Sequence, residues 1–166
     1  MNKQNLKTVF GLLILFIVDG FLKIIILNQP LLIKDWLLSS NFINKPEINQ
    51  GIALSLPLNN TIAIIISLIA IAIITWHLLN LLKYKTWLVF YWGLILIGAF
   101  SNLFDRIFLG GVADYLVLPF IPSLFNLADA FIFTGALLLA LNTKLYSTLA
   151  NGQSLAGLKD KQDSSK

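Results

Sequence analysis

Six ionisable side chains lie in or beside stretches of this chain that are otherwise almost wholly apolar. They are Asp19, Lys23, Asp105, Arg106, Asp114 and Asp129. An ionisable residue inside a membrane-spanning helix costs at least about 2.5–3.5 kcal/mol on insertion scales, so each is a functional candidate by default. Two carboxylates brought together at a poorly solvated site share a proton, because both cannot ionise at once.

Asp114 and Asp129 are the two residues best suited to acid–base chemistry. Asp114 lies in the short GGVADY segment, and Asp129 ends the FNLAD segment, with Asn126 three residues earlier on the same predicted helical face. An ionised aspartate can deprotonate a water while a protonated partner donates to a carbonyl, which is aspartic-peptidase chemistry. Two alternatives stay open here: a Mg²⁺ site built on the carboxylates, and a helix N-terminal cap in the case of Asp129.

Asp19 and Lys23 are four residues apart on one helical face, with the acid first, which is the order that favours pairing. Such a pair keeps its carboxylate ionised, so it either lowers the cost of inserting the helix or positions a substrate. The chain has no cysteine, and its single histidine, His77, lies at the cytoplasmic end of a predicted span. The sequence therefore lacks the histidine that a Ser-His-Asp triad at the outer face needs, and the several histidines that a zinc site built from them needs.

The elements that must position these residues are those of a membrane protein. The 166 residues are 57% hydrophobic and only 12% charged, whereas soluble chains are about 45–50% apolar and about 25% charged. A membrane-spanning helix needs about 20 mostly apolar residues, and four stretches qualify: about 8–27, 61–82, 86–104 and 124–142. Gly93 and Gly98 in the third predict close helix packing. We expect an all-α, four-helix membrane domain over residues 1–150.

The basic residues predict the orientation of these spans. Eight of the 12 flank one side: Lys3, Lys7, Lys83, Lys85, Lys144, Lys159, Lys161 and Lys166. Cytoplasmic loops carry an excess of Lys and Arg, so both termini are predicted to be cytoplasmic and the net charge of +4 does not indicate nucleic-acid binding. Segments 28–60 and 105–123 then lie outside, and every ionisable candidate falls toward that face. Residues 151–166 are predicted to be a disordered tail.

The outer segment 28–60 is too polar and too often interrupted by proline to span the membrane. Trp36 and the leucines around it predict a short interfacial helix. Residues 41–58 are predicted to form short strands around a glycine turn.

Four motifs occur in order between about residues 9 and 140. They are Asp-x-x-x-Lys at 19–23, NQGIALS at 49–55, GAFSNLFDR at 98–106 followed by GVADY at 111–115, and FNLAD at 125–129. Each is weak alone, but together and in this order they resemble the lipoprotein signal peptidase (signal peptidase II) family, the membrane aspartic peptidases of bacteria.

The resemblance implies a reaction and a site. The family's catalytic aspartates match Asp114 and Asp129. Positions that shape its site or hold substrate match Asp19, Lys23, Asn49, Gly51, Asn102, Arg106, Asn126 and Ala128. The family cleaves prolipoproteins just before a lipobox Cys that already carries diacylglycerol. It needs no metal or organic cofactor and is blocked by the cyclic peptide globomycin.

The resemblance also implies a fold and a location. The fold is a four-transmembrane-helix bundle with a small extracytoplasmic β-cradle and a short interfacial helix. The location is the bacterial inner membrane, with the active site near the outer face. The expected partners are prolipoprotein substrates and membrane lipid, not nucleic acid, and the expected state is a monomer.

The chain departs from the family pattern at four positions. Ser101 stands where a glycine usually precedes Asn102, Leu54 replaces a phenylalanine, Ile48 replaces a frequent arginine, and Ala130 replaces a serine or threonine. None of these changes removes a catalytic group. We therefore expect them to affect substrate preference and inhibitor affinity rather than the reaction.

Two hypotheses from other classes compete with a peptidase. One is a binding or assembly subunit that keeps the scaffold without turnover, although intact Asp114 and Asp129 count against it. The other is a proton or ion carrier that uses Asp19, Lys23 and Asp129 as relay groups. Against the carrier, the charges cluster at one predicted depth and no polar series reaches the cytoplasmic half.

Overall fold

The computed structural model describes residues 3–28, 42–51, 58–83, 87–118 and 121–150. These ranges contain, in chain order, α1 Lys3–Asn28, β1 Ile43–Asn49, α2 Asn60–Leu81, α3 Leu88–Phe108, β2 Val112–Leu118, β3 Ile121–Phe125 and α4 Leu127–Ala150. The predicted interfacial helix at Trp36 and the tail 151–166 lie outside the described residues, as does Leu54.

The helices form where the apolar stretches predict them, because a membrane leaves the backbone no other partner. The second stretch is rich in β-branched residues that would favour a strand in water, yet it is the helix α2. A helix satisfies all its backbone groups internally, whereas a lone strand in lipid does not. At the start of α2, the Asn59 side chain accepts a hydrogen bond from the Thr61 N–H at 2.8 Å and caps the helix.

The outer surface of the bundle is apolar, as a lipid environment requires. Ile62, Ile65, Ile66, Ile69 and Ile73 of α2 are all exposed. By length and composition, α1, α2 and α3 can each cross a membrane, whereas the apolar part of α4, Leu127–Asn142, is shorter. The chain is therefore a mostly helical, membrane-embedded protein, and a fourth span stays a prediction.

Helix α3 lies at the centre of the bundle and contacts α1, α2 and α4. The close packing predicted at Gly93 and Gly98 is confirmed: a Cβ at Gly93 would clash with the Leu12 side chain, and one at Gly98 with the Ala128 backbone oxygen. Gly135 of α4 makes a third close approach to α3 that the sequence analysis missed. Small residues at such contacts let helix backbones approach and gain packing energy in lipid.

The three strands form one antiparallel sheet in the order β1-β2-β3. The predicted strand in segment 41–58 is confirmed as β1, which pairs with β2, and residues 52–57 of the segment lie outside the described residues. Gly110 has a φ of 77°, which favours glycine where the chain leaves α3. Gly111, just before β2, lies so close to β1 that a Cβ there would lie 2.8 Å from the Asn49 backbone oxygen. This turn brings the strand that carries Asp114 back over the end of α3.

We predict that Gly135→Ala separates α3 from α4 and lowers the free energy of unfolding by about 1–3 kcal/mol. The added Cβ would lie 2.6 Å from the Tyr91 backbone oxygen and 2.8 Å from Ile95 Cγ1. Thermal unfolding in detergent measures the loss. Gly11→Ala is the matched control, because a Cβ there has no atom within 4 Å. Equal unfolding temperatures for the two variants would contradict the prediction.

Candidate active site

Asp114 and Asp129 line one cavity of about 600 Å³ between α2, α3, α4 and the sheet. Its polar end also includes Asn49, Asn102 and Arg106. The remaining walls are mostly apolar and include Ile66, Ala70, Val112, Leu124, Phe125, Ile132, Phe133 and Ala136. The two aspartates predicted from charge and motif therefore meet at the polar end of a largely apolar cavity.

Asp129 is held at the first turn of α4 by a reciprocal capping arrangement. Asn126 immediately precedes the helix, and its Oδ1 accepts a hydrogen bond from the Asp129 N–H at 2.9 Å. In return, the Asn126 N–H donates to Asp129 Oδ2 at 3.3 Å. Such a capping box satisfies two backbone donors that the helix leaves free. The capping alternative for Asp129 therefore describes one of its contacts and does not compete with its place in the cavity.

The side chain of Asn126 joins the two aspartates. Its Nδ2 donates to Asp114 Oδ1 at 2.8 Å, while the same residue caps the turn that carries Asp129. Asn126 is fully buried. The prediction that it shares a helical face with Asp129 is wrong, because Asn126 lies before the helix. Asn126 does donate to the Asp129 carboxylate, as expected, but from its backbone N–H. Its backbone N–H serves Asp129, and its amide serves Asp114.

Two further asparagines hold the other carboxylate oxygens. Asn49 Nδ2 of β1 donates to Asp114 Oδ2 at 2.9 Å, and Asn102 Nδ2 of α3 donates to Asp129 Oδ1 at 2.7 Å. Both carboxylates are therefore oriented by neutral amides rather than by cations. Amide donors fix the direction of a carboxylate without compensating its whole charge.

Burial raises the pKa of Asp114 above its ordinary value, since only 3% of the residue is exposed. The hydrogen bonds from Asn49 and Asn126 act in the opposite direction, because they stabilise the ionised form. The negative charge of Asp129 raises the pKa of Asp114 further. These surroundings therefore keep the Asp114 carboxyl protonated up to a higher pH than an ordinary aspartate.

Arg106 connects the cavity to the turn that follows β1. Its Nη2 donates to the Gly51 backbone oxygen at 3.0 Å, and its Nη1 donates to the Asn102 backbone oxygen at 3.4 Å. The Gly51 N–H in turn donates to Asn49 Oδ1 at 2.9 Å. Within the described ranges Arg106 forms no ion pair, so its positive charge at the cavity is not neutralised by a direct carboxylate contact.

Asp19 and Lys23 form the predicted ion pair, with the Lys23 Nζ 3.0 Å from Asp19 Oδ2. They do not line the aspartate cavity. The same ammonium lies 2.8 Å from Asp105 Oδ2 and donates to Ser101 Oγ at 2.9 Å, and Ser101 donates to Asp19. We call these four residues the Lys23 cluster.

Asp105 and Ser101 were not predicted to be members of this cluster. Their four-residue spacing on α3 was the available signal, because it places both on one helical face.

The Lys23 cluster contacts the strand that carries Asp114. The Ala113 N–H donates to Asp105 Oδ2 at 3.2 Å, and Ala113 is fully buried. Ala113 is the residue before Asp114 on β2. The position of this strand therefore depends on the carboxylate of Asp105, which is paired with Lys23.

Nine of the ten predicted site residues thus occupy three places. Asn49, Asn102, Arg106, Asp114 and Asp129 line the cavity, Gly51 and Asn126 bind residues of that group, and Asp19 and Lys23 lie in the neighbouring cluster. Ala128 is fully buried, and its backbone packs against Gly98 of α3. Its small side chain suits the close contact of α3 with α4. In the part of the chain that the structure describes, no three His, Cys, Asp or Glu side chains converge as metal ligands would.

An apolar helical bundle with a small sheet and buried acidic groups defines a membrane-embedded protein, and comparison with known proteins identifies its family. The sequence profile described as Signal peptidase (SPase) II matches residues 11–145, and the chain belongs to that family.

Two curated relatives illustrate the sequence similarity. The lipoprotein signal peptidase of Caldanaerobacter subterraneus subsp. tengcongensis is 34% identical over 91 residues, which are 55% of this chain and 63% of the relative. The lipoprotein signal peptidase of Pseudomonas aeruginosa strain UCBPP-PA14 is 38% identical over 98 residues, 56% of each protein. The match therefore spans less than two thirds of the length of either relative.

The fold is also similar to solved structures. A bacterial membrane enzyme structure determined by the in meso method at 2.3 Å has a TM-score of 0.63 over 87% of this chain and 90% of that one, with 19% sequence identity. A second such structure, at 1.9 Å, has a TM-score of 0.62 over 82% of this chain and 92% of that one. At this identity the similarity establishes the fold.

We predict that Lys23→Met lowers the free energy of unfolding by about 3–5 kcal/mol, because it leaves Asp19 and Asp105 buried without their cation. Lys7→Met is the matched control, since Lys7 is exposed on the same helix. Thermal unfolding of both variants in detergent measures the difference. An unfolding temperature for Lys23→Met equal to that of the control would show that the buried ion pairs do not stabilise the bundle.

Proposed function

We propose that this protein is a membrane aspartic endopeptidase that removes signal peptides from diacylglyceryl-modified prolipoproteins. The observation that carries the proposal is the pair Asp114 and Asp129, which line one cavity and are joined through Asn126. Membership of the signal peptidase II family supports the reaction class. Cleavage falls just before the lipidated Cys.

In the proposed mechanism, one aspartate is ionised and the other protonated, because two neighbouring carboxylates at a desolvated site share a proton. The ionised aspartate accepts a proton from water as the water oxygen attacks the scissile carbonyl. The protonated aspartate donates to the carbonyl oxygen, and a tetrahedral diol results. The newly protonated aspartate then donates its proton to the amide nitrogen as the C–N bond breaks. The other aspartate accepts a proton from a diol hydroxyl, which releases the new carboxyl group and restores the single shared proton.

The surroundings of the pair suit this chemistry. Asn49, Asn102 and Asn126 orient the carboxylates, so little reorganisation is needed when a proton moves between substrate and aspartate. The guanidinium of Arg106 at the same cavity favours the ionised member of the pair. Preorganised groups of this kind act strongly where water is excluded.

The apolar walls of the cavity suit a lipid-modified substrate. Ile66, Ile132 and Phe133 extend from the polar end along α2 and α4, and Ile66 and Phe133 are exposed at the outer surface of the bundle. The acyl chains of the substrate can remain in the bilayer beside these helices while the scissile peptide reaches the aspartates. Each CH₂ group buried in lipid contributes about 0.8 kcal/mol, so partitioning concentrates the substrate in the membrane that holds the enzyme.

We place the protein in the bacterial inner membrane as a monomer, with both termini cytoplasmic and the aspartates near the outer face. One contact supports this orientation: Asn5 Nδ2 donates to the Leu82 backbone oxygen at 3.0 Å. The first turn of α1 and the end of α2 therefore lie together, and the lysines beside them share one side, as the positive-inside rule requires. The sheet and Asp114 lie at the opposite end of α3.

We predict that Asp114→Asn and Asp129→Asn each reduce kcat/KM by about 10²–10⁴-fold, the contribution of a general acid or base. Purified protein in detergent is assayed with a diacylglyceryl-modified prolipoprotein. Globomycin binding and thermal unfolding report whether each variant is folded. Cleavage that survives either substitution refutes the aspartate pair, whereas a wild type that binds globomycin without cleaving supports the binding-subunit hypothesis.

We predict that Asn49→Ala moves a limb of the pH–activity profile to higher pH. The amide of Asn49 stabilises ionised Asp114, so its removal raises the pKa of that carboxyl further. The acid limb moves if Asp114 is the ionised member of the pair, and the alkaline limb moves if it is the protonated one. Asn80→Ala is the matched control, because the exposed amide of Asn80 donates to the Trp76 backbone oxygen. A shift to lower pH contradicts the assignment.

A further inference from the structure

Ser101 completes the coordination of a buried ammonium group. A lysine ammonium has three N–H donors, and Lys23 has three oxygen partners: Asp19 Oδ2 at 3.0 Å, Asp105 Oδ2 at 2.8 Å and Ser101 Oγ at 2.9 Å. The Ser101 hydroxyl in turn donates a hydrogen bond to Asp19. Lys23 is 4% exposed and Ser101 is 5% exposed. The hydroxyl is thus both the third acceptor of the ammonium and a second donor to Asp19.

The space beside this hydroxyl is largely apolar. Lys23, Ser101 and Asp105 lie at the base of a second cavity of about 260 Å³ between α1 and α3, separate from the aspartate cavity. Its other walls are Phe16, Gly20, Ile24, Leu27, Phe104, Phe108 and Leu109. Without the serine, the third N–H of the ammonium would face this apolar space. A buried donor left without a partner costs about 1–3 kcal/mol, and more when it is charged.

Two short connections run from Ser101 to the proposed catalytic pair. Through Lys23, it acts on Asp105, whose Oδ2 also accepts the Ala113 N–H at 3.2 Å, one residue before Asp114. Along α3, its neighbour Asn102 donates to Asp129 Oδ1 at 2.7 Å. Ser101 is therefore close to both contacts: the one that holds the strand of Asp114 and the one that holds Asp129.

We infer that Ser101 is a positioning residue: by accepting the third N–H of Lys23, it keeps the ammonium against Asp105 and so holds Ala113 and Asp114 in place. The inference rests on the proposed function, because the group it positions is one of the proposed catalytic aspartates. The family pattern has glycine at this position. A glycine at position 101 of this chain would be small enough for helix packing, but it would not accept the third N–H of Lys23 as the serine does.

The test uses three substitutions in the full-length protein. Ser101→Gly restores the family residue, Ser101→Ala removes only the hydroxyl, and Ser101→Thr keeps it. We expect the Gly and Ala variants to lose about tenfold in kcat with KM within twofold, since a displaced catalytic group costs up to about 10²-fold. Ser101→Thr is expected to retain most of the activity. Thr134→Ala, which removes an exposed hydroxyl from α4, is the control.

A second measurement does not depend on cleavage. Hydrogen exchange at the Ala113 amide reports its bond to Asp105, and we expect faster exchange in the Gly and Ala variants than in the wild type or Thr134→Ala. If the wild type cleaves no prolipoprotein, the proposed function fails, while this exchange still reports on the contact.

Unchanged Ala113 exchange in Ser101→Ala overturns the inference. So does a kcat equal to that of the wild type. The inference is also overturned if the fraction of activity lost equals the fraction of protein that no longer binds globomycin, since that would show a role in folding alone.

Discussion

The hydrogen bonds of Asn126 are the interaction on which the site depends. One residue, fully buried before α4, caps the turn that carries Asp129 and donates to the carboxylate of Asp114 on β2. A membrane helix has few ways to end inside a protein, because each free backbone group needs a partner there. The capping that α4 requires and the bridge between the aspartates are therefore supplied by the same side chain.

The Lys23 cluster solves a related problem at the other side of α3. Two buried carboxylates and a buried ammonium compensate one another, and a backbone N–H of β2 and the hydroxyl of Ser101 complete the set. Charges in such surroundings are tolerated when they are paired and hydrogen-bonded. Because one of these partners is the backbone of β2, the charge pairing also fixes the sheet relative to the helices.

Close helix contacts hold the two sets of polar residues in register. Gly98 and Gly135 bring α3 and α4 together, so that Asn102 of α3 reaches Asp129 of α4. In lipid, packing of small residues replaces much of the hydrophobic driving force that holds soluble helices together. The site therefore depends on glycines that do not themselves line the cavity.

The sequence by itself determined the apolar helices, the family and the acidic residues that line the cavity or pair with Lys23. A membrane span needs a long apolar stretch, and a charge within or beside one is costly, so both features are visible without a structure. The order of the motifs along the chain, including those around Asp114 and Asp129, indicated the family. The boundaries of α2 followed closely, whereas α3 extends to Phe108 and α4 to Ala150, beyond the predicted 104 and 142.

Only the tertiary structure decided which polar groups are partners. Asp105 pairs with Lys23 and does not line the cavity of Asp114 and Asp129, and Ser101 contacts both Lys23 and Asp19. Asn49 and Asp114 are 65 positions apart, and Ser101 and Asp19 are 82 apart. Local spacing encodes which residues share a helical face, but contacts over such separations arise only when the helices and the sheet pack together.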